Sequence, residues 1–148
     1  MRKPRALIYD DDVNVLDMLK AFLTRRGYEV LAFNEPIICP IYEKMAACCE
    51  KVYPCADITI TDFNMPRMNG IQLLKFQSQR NCKIDVRNKA IISAHLADEN
   101  LEVIRTLGCS FIHKPFRLSE LSDWLDLCAN RIDLSQPVVD LQIIEGNP

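Results

Sequence analysis

The stretch that most constrains this chain is Ile58-Thr-Ile-Thr-Asp62, followed by Phe63-Asn-Met-Pro-Arg-Met-Asn-Gly70. Four β-branched residues in a row suit a strand in the middle of a sheet. Pro66 and the Asn69-Gly70 pair stop that strand and start a helix. Asp62 is thereby put at the C-terminal end of a strand, the edge where open α/β sheets bind their ligands.

The rest of the chain repeats this strand-then-helix rhythm. Residues 5–9 are short and apolar, and Asp10, Asp11 and Asp12 follow them. Residues 13–26 carry Leu16, Leu19, Phe22 and Leu23 at helical spacing, with Asp12 as N-cap and Gly27 as stop. Residues 28–33 read as a second strand and 58–61 as a third. Pro36, Pro40 and Pro54 bracket the intervening stretch, so any helix there lies between about 41 and 52. Further helices are expected over 71–79, 99–107 and 118–132, and further strands over 90–93 and 110–112. Residues 78–88 read as a polar loop. Five strands alternating with five helices predict a doubly wound parallel α/β sheet with helices on both faces.

Size and charge narrow the function. The chain has 148 residues, room for one domain with a real core. A domain over 1–132 and a tail over 133–148 are expected. The tail is apolar at Val138, Val139, Leu141, Ile143 and Ile144, so it is expected to pack on the body or on another chain. The net charge is −2, and Arg2-Lys3 and Arg25-Arg26 read as solvated ends, so nucleic-acid binding is not expected. No apolar run approaches a membrane span and no signal-peptide core opens the chain, so a cytoplasmic protein is expected. Seven cysteines, Cys39, Cys48, Cys49, Cys55, Cys82, Cys109 and Cys128, fit no standard zinc spacing and read as reduced, small hydrophobic residues.

Polar groups end four of the strands: Asp10 and Asp11 the first, Asp62 the third, Ser93 the fourth and Lys114 the fifth. A parallel sheet brings all of these ends to one edge. Three carboxylates there repel one another and call for positive charge. Lys114 supplies some. An all-oxygen donor set suits a hard cation, Mg²⁺ or Mn²⁺, better than zinc. A metal, a lysine and a hydroxyl are the equipment of phosphoryl transfer, with Asp62 as the nucleophile between Asp10 and Asp11 on one side and Ser93 on the other.

In these residues the chain resembles the receiver domain of two-component response regulators, over residues 5 to about 131. Leu-Ile-Tyr-Asp10-Asp11-Asp12 is similar to the family's acidic strand end. Ile-Thr-Asp62-Phe-Asn-Met-Pro-Arg-Met-Asn-Gly70 resembles its phosphoacceptor turn, Ile-Ile-Ser93-Ala94 its hydroxyl position, and Phe111-Ile-His-Lys114-Pro115-Phe116 its switch aromatic and lysine. The resemblance implies a flavodoxin-like fold with strand order 2-1-3-4-5. It implies that Asp62 takes a phosphoryl group from a phosphohistidine on a sensor histidine kinase or histidine phosphotransfer protein. Asp11 and Asp62 would bind Mg²⁺ through their side chains, Asp10 through a water, and Asn64 through its backbone carbonyl. Lys114 would pair with the phosphoryl oxygens, Ser93 would move toward them and Phe111 would turn inward. By the same resemblance His95 is either a residue that tunes the lifetime of the phosphoryl group or a solvated loop histidine, and the Lys114-Pro115 bond is expected to be cis.

The resemblance thus implies a single-domain switch, expected to catalyse nothing beyond its own phosphorylation and dephosphorylation. With only a tail after the domain, output is expected by binding a target protein or a second copy. The expected surface is the face of the 99–107 helix, the 110–112 strand and the 118–132 helix. Two alternatives compete. One is an interaction module indifferent to phosphorylation, which the set Asp11, Asp62, Ser93 and Lys114 opposes. The other is a Mg²⁺-dependent aspartyl phosphatase, which Asn64 opposes by standing where a second acid would be needed.

Overall fold

The computed structural model describes residues 1–39 and 49–140. The elements run β1 (Arg5–Tyr9), α1 (Val13–Arg25), β2 (Glu29–Phe33), β3 (Ile58–Asp62), α2 (Gly70–Gln79), β4 (Lys89–Ser93), α3 (Asp98–Leu107), β5 (Ser110–His113) and α4 (Leu118–Ala129). The five strands form one parallel sheet in the order β2-β1-β3-β4-β5, the expected flavodoxin-like arrangement. The helix anticipated within 41–52 falls mostly outside the described residues, and 49–52, which are described, are not helical. A single 3-10 turn, Val86–Asn88, interrupts the expected polar loop.

The sheet is covered on both faces, and period-2 alternation decides which residue faces which way. Ala6, Ile8, Ile58, Ile60, Ala90 and Ile92 pack with Leu16, Leu19 and Leu23 of α1 and Leu121, Leu125 and Cys128 of α4. Trp124 joins that cluster as a packing residue. On the other face, Leu7 and Tyr9 meet Leu73 of α2, and Ile91 meets Ile71 and Leu74 of α2 and Ile104 of α3. β1, β3 and β4 are buried throughout, whereas β2 and β5, at the edges, are only partly so.

Local chemistry sets the helix ends. Asp12 caps α1 by accepting from the Asn14 N–H at 2.9 Å. Asn69 and Gln72 form a reciprocal capping box at the start of α2, both bonds 2.9 Å. Gly108 ends α3 in the left-handed conformation, φ 88°.

At the chain ends one expectation is corrected and another is met. Arg2 is not a solvated end: its guanidinium grips Asp57 at 2.7 and 2.8 Å, and its Nε donates to the Gln136 carbonyl at 2.6 Å. The cause is Asp57, whose carboxylate also accepts the Arg5 N–H at 2.8 Å and is buried beside the start of β3. The described part of the tail packs on the body. Val139 is buried against Leu31, Cys39 and Cys55, and its N–H donates to the Pro54 carbonyl at 2.9 Å.

Candidate functional site

β1, β3 and β4 lie side by side, with Tyr9 opposite Thr61 and Asp62 opposite Ile92. The residues that end these strands therefore share one edge. Asp10 follows β1, Asp62 closes β3, Ser93 closes β4 and Lys114 follows β5. One oxygen from each of Asp10, Asp11 and Asp62 lies within 4.8 Å of the others. Lys114 Nζ donates to Asp62 Oδ1 at 3.0 Å and to Asp10 Oδ2 at 3.4 Å. Of the five side chains expected at this edge, Asp10, Asp11, Asp62 and Lys114 are thus brought together.

Backbone contacts hold them there. The Asp12 N–H donates to Asp10 Oδ1 at 2.9 Å, and the Asp10 N–H to the Phe33 carbonyl at 3.1 Å. The Lys114 N–H donates to the Ser93 carbonyl at 2.8 Å, which ties the lysine to the end of β4. The Lys114-Pro115 peptide is cis. Gly70 contributes in a way the sequence reading treated only as turn chemistry. A Cβ there would lie 2.6 Å from the Asp62 carbonyl oxygen and 3.2 Å from Thr61 Cγ2. Only glycine lets α2 begin directly against the residue that ends β3.

The charges are unbalanced. Asp10 is 1 % exposed and Asp62 7 % exposed. Burial raises the Asp62 carboxyl above its ordinary value; Lys114 works against this and Asp11 adds to it. Burial raises Asp10 too, and Asp62 adds to it against the pull of the Asp12 amide and Lys114. Burial disfavours the Lys114 ammonium, yet its bond to Asp62 and the charges of both acids outweigh that and raise it. A cluster of oxygen donors short of positive charge fits a hard divalent cation, with Asp10, Asp11 and Asp62 as the groups that would hold it.

Ser93, His95, Asn64 and Phe111 complete the expected set. The Ser93 hydroxyl engages its own loop, donating to the His95 carbonyl at 3.0 Å and accepting from the His95 N–H at 3.3 Å. His95 is an exposed loop residue. Asn64 is exposed in the turn two residues after Asp62. Phe111 is half-buried against the cluster of Ile71, Leu74, Ile91 and Ile104, its ring edge-on to that of His113. His113 is exposed, on the same face of β5 as Phe111.

The family model of the response regulator receiver domain matches residues 6–126. This chain belongs to that family. The chemotaxis protein CheY of Thermotoga maritima is 32% identical to it over 126 residues, 82% of this chain and 94% of that protein. The sensory/regulatory protein RpfC of Xanthomonas campestris is 27% identical over 146 residues, 97% of this chain but 19% of that longer protein. The solved structure of a response regulator receiver domain protein from Clostridium thermocellum superposes with a TM-score of 0.70 at 22% identity, over 86% of this chain and 95% of that one. That likeness is one of fold. As a receiver domain of the response regulator kind, the chain is a component of two-component signalling.

Proposed function

We propose that this receiver domain is a phosphorylation switch whose acceptor is Asp62. The observation that carries the reading is the Lys114 ammonium held between Asp62 and Asp10, at 3.0 and 3.4 Å, beside three converging carboxylates. An Asp62 oxygen attacks the phosphorus of a phosphohistidine on a sensor kinase or phosphotransfer protein. The P–N bond breaks, the imidazole leaves and takes up a proton, and an acyl phosphate remains on Asp62. When bound, a divalent cation such as Mg²⁺ supplies the positive charge that the phosphoryl oxygens and the acids require. Lys114 neutralises a phosphoryl oxygen. The Ser93 hydroxyl exchanges its bonds to the His95 backbone for one to the phosphate, and Phe111 follows it inward. Such a change shifts an existing equilibrium rather than building a new state.

Output in this reading is by binding, through the face of α3, β5 and α4 where Phe111 sits, to a target protein or a second copy. The chain works in the cytoplasm and catalyses no reaction but its own phosphorylation and dephosphorylation. Among the described residues, no helix is long and apolar enough to cross a membrane. The test is incubation with Mg²⁺ and a small phosphodonor such as acetyl phosphate. A base-labile phosphoryl group on the wild type, absent from Asp62→Asn and from wild type in EDTA, is the expected result. Labelling that survives Asp62→Asn, or none in either protein, overturns the reading.

A further inference from the structure

Away from the acidic edge, Lys89 stands out. It opens β4 at the opposite edge of the sheet and is 2 % exposed. Its ammonium donates to Gln77 Oε1 at 2.8 Å and to Cys82 Sγ at 3.4 Å. Gln77 is itself fixed, donating Nε2 to the Ile38 carbonyl at 3.0 Å. Among the described residues no carboxylate pairs with Lys89. An ammonium withdrawn from water needs a counter-charge.

Besides Gln77, the atom that touches this ammonium is sulfur. Cys82 touches it, and Cys55 and Cys109 lie within reach of its charge. Cys55 also lies within reach of Cys82, Cys39 and Cys49. The Cys49 N–H donates to the Arg80 carbonyl at 2.7 Å, which brings Cys49 to the chain just before Cys82. Thr59, the register partner of Lys89, has a buried hydroxyl without a hydrogen-bond partner. The Tyr9 hydroxyl, buried in the same cluster with the Gln77 amide beside it, completes no hydrogen bond either. The remaining thiols differ. Cys109 is buried and donates to the Ile104 carbonyl at 3.7 Å, and Cys128 is enclosed in the core. Cys82 is part-exposed, so a small oxidant can reach it. A part-exposed cysteine whose sulfur is held against an ammonium, close to other thiols, is the setting of a redox-reactive thiol.

We propose that Cys82 is a peroxide-reactive modification site, made nucleophilic by Lys89 and set among thiols that capture its oxidised form. The Cys82 sulfur attacks one oxygen of a hydroperoxide and the O–O bond breaks. For hydrogen peroxide the departing hydroxide takes the thiol proton and leaves as water, and sulfur, oxidised by two electrons, becomes a sulfenic acid. The thiol of Cys49 or Cys55 then attacks that sulfur. The S–O bond breaks, a second water leaves, and a disulfide remains.

The test uses the full reduced chain, hydrogen peroxide and dimedone as sulfenic-acid trap, read by peptide mass spectrometry. Cys82 is expected to label about tenfold faster than Cys49, which is similarly part-exposed but has no ammonium contact among the described residues. Lys89→Met is expected to slow Cys82 by about tenfold, and Lys89→Arg to retain most of the rate. Without dimedone, the Cys82 peptide is expected cross-linked to that of Cys49 or Cys55. Cys82 labelling no faster than Cys49 in the wild type overturns the proposal, and this comparison needs no variant to fold. Unchanged labelling in a folded Lys89→Met protein overturns the role of the lysine.

Discussion

The two edges of the sheet handle charge in opposite ways. At the N-terminal edge the buried ions Arg5 and Asp57 have counter-ions, while Lys89 meets an amide and a thiol instead. Arg2 meets Asp57 through two bonds, and Arg5, though buried, reaches Glu29 and the carbonyls of Cys55 and Val139, the last two at 3.0 and 2.6 Å. At the C-terminal edge Asp10, Asp11 and Asp62 converge on one another, and Lys114 pairs with Asp10 and Asp62. The first edge closes the domain and pins its tail. The second holds charge in excess, which disfavours the fold as it stands and leaves it ready for a cation and a phosphoryl group. Buried ions paired with opposite charge tie this molecule together, and those short of it, the acids at one edge and Lys89 at the other, mark its candidate reactive groups.

The largest contrast is expected from Asp57→Ala. The Asp57 side chain is 6 % exposed, and its loss leaves the Arg2 guanidinium without its carboxylate and the Arg5 N–H without its acceptor. Breaking a pair of this burial is expected to cost about 2 kcal/mol, somewhat below a fully enclosed pair because Arg2 keeps some water contact. Urea denaturation reads this as a lower midpoint, and Asp62 phosphorylation in the folded protein is expected to persist. A change below about 0.5 kcal/mol would remove the structural half of the contrast.

Asp62→Asn is expected to act with the opposite sign. The folded protein raises the carboxyls of Asp62 and Asp10 above the ordinary 3.8, so it binds their protons more readily than the unfolded chain. Their contribution to stability is present at low pH and is lost as pH rises through the raised folded values. The variant, measured in EDTA, is therefore expected to match the wild type near pH 3 and to exceed it by about 1 kcal/mol at neutral pH. Mg²⁺ is expected to narrow the gap by stabilising the wild type more. A variant less stable than wild type at pH 7 without metal would show that the acidic edge carries no excess charge.

Much of this contrast is legible in the chain, and the part that is not has a physical reason. Alternation in Ile58–Asp62 and the acids after residues 9 and 61 place the reactive edge, because period 2 and the parallel order force strand ends together. The N-terminal edge is invisible to such reasoning. Nothing local distinguishes Arg2, bound across 55 residues to Asp57, from a solvated terminus. Asp57 itself reads as the polar start of a strand, and the tail contact between Arg5 and Val139 spans 134 residues. Gly70 lies between these cases. Its place at the helix start is readable, but its 2.6 Å approach to the Asp62 carbonyl depends on how α2 docks. Lys89 reads as the edge of a buried strand and gives no sign in sequence that its amine turns toward sulfur.

The smallest effect on stability is expected from Ser93→Ala, and it separates holding the site from responding to it. Ser93 is 1 % exposed, yet its hydroxyl bonds only the backbone of His95, while its carbonyl anchors the Lys114 N–H. The substitution deletes the first pair of contacts and keeps the second. Stability is expected to change by less than about 1 kcal/mol. Lys114 stays at Asp62, so phosphoryl incorporation from acetyl phosphate is expected to continue. The link from phosphate to Phe111 is what disappears. Amide hydrogen exchange across α3 and β5 is then expected to change on phosphorylation in the wild type and to stay flat in Ser93→Ala. If the phosphorylated variant shows the wild-type exchange pattern, the hydroxyl is not the element that carries the signal, and the switch must run through Lys114 and its backbone tie to β4 instead.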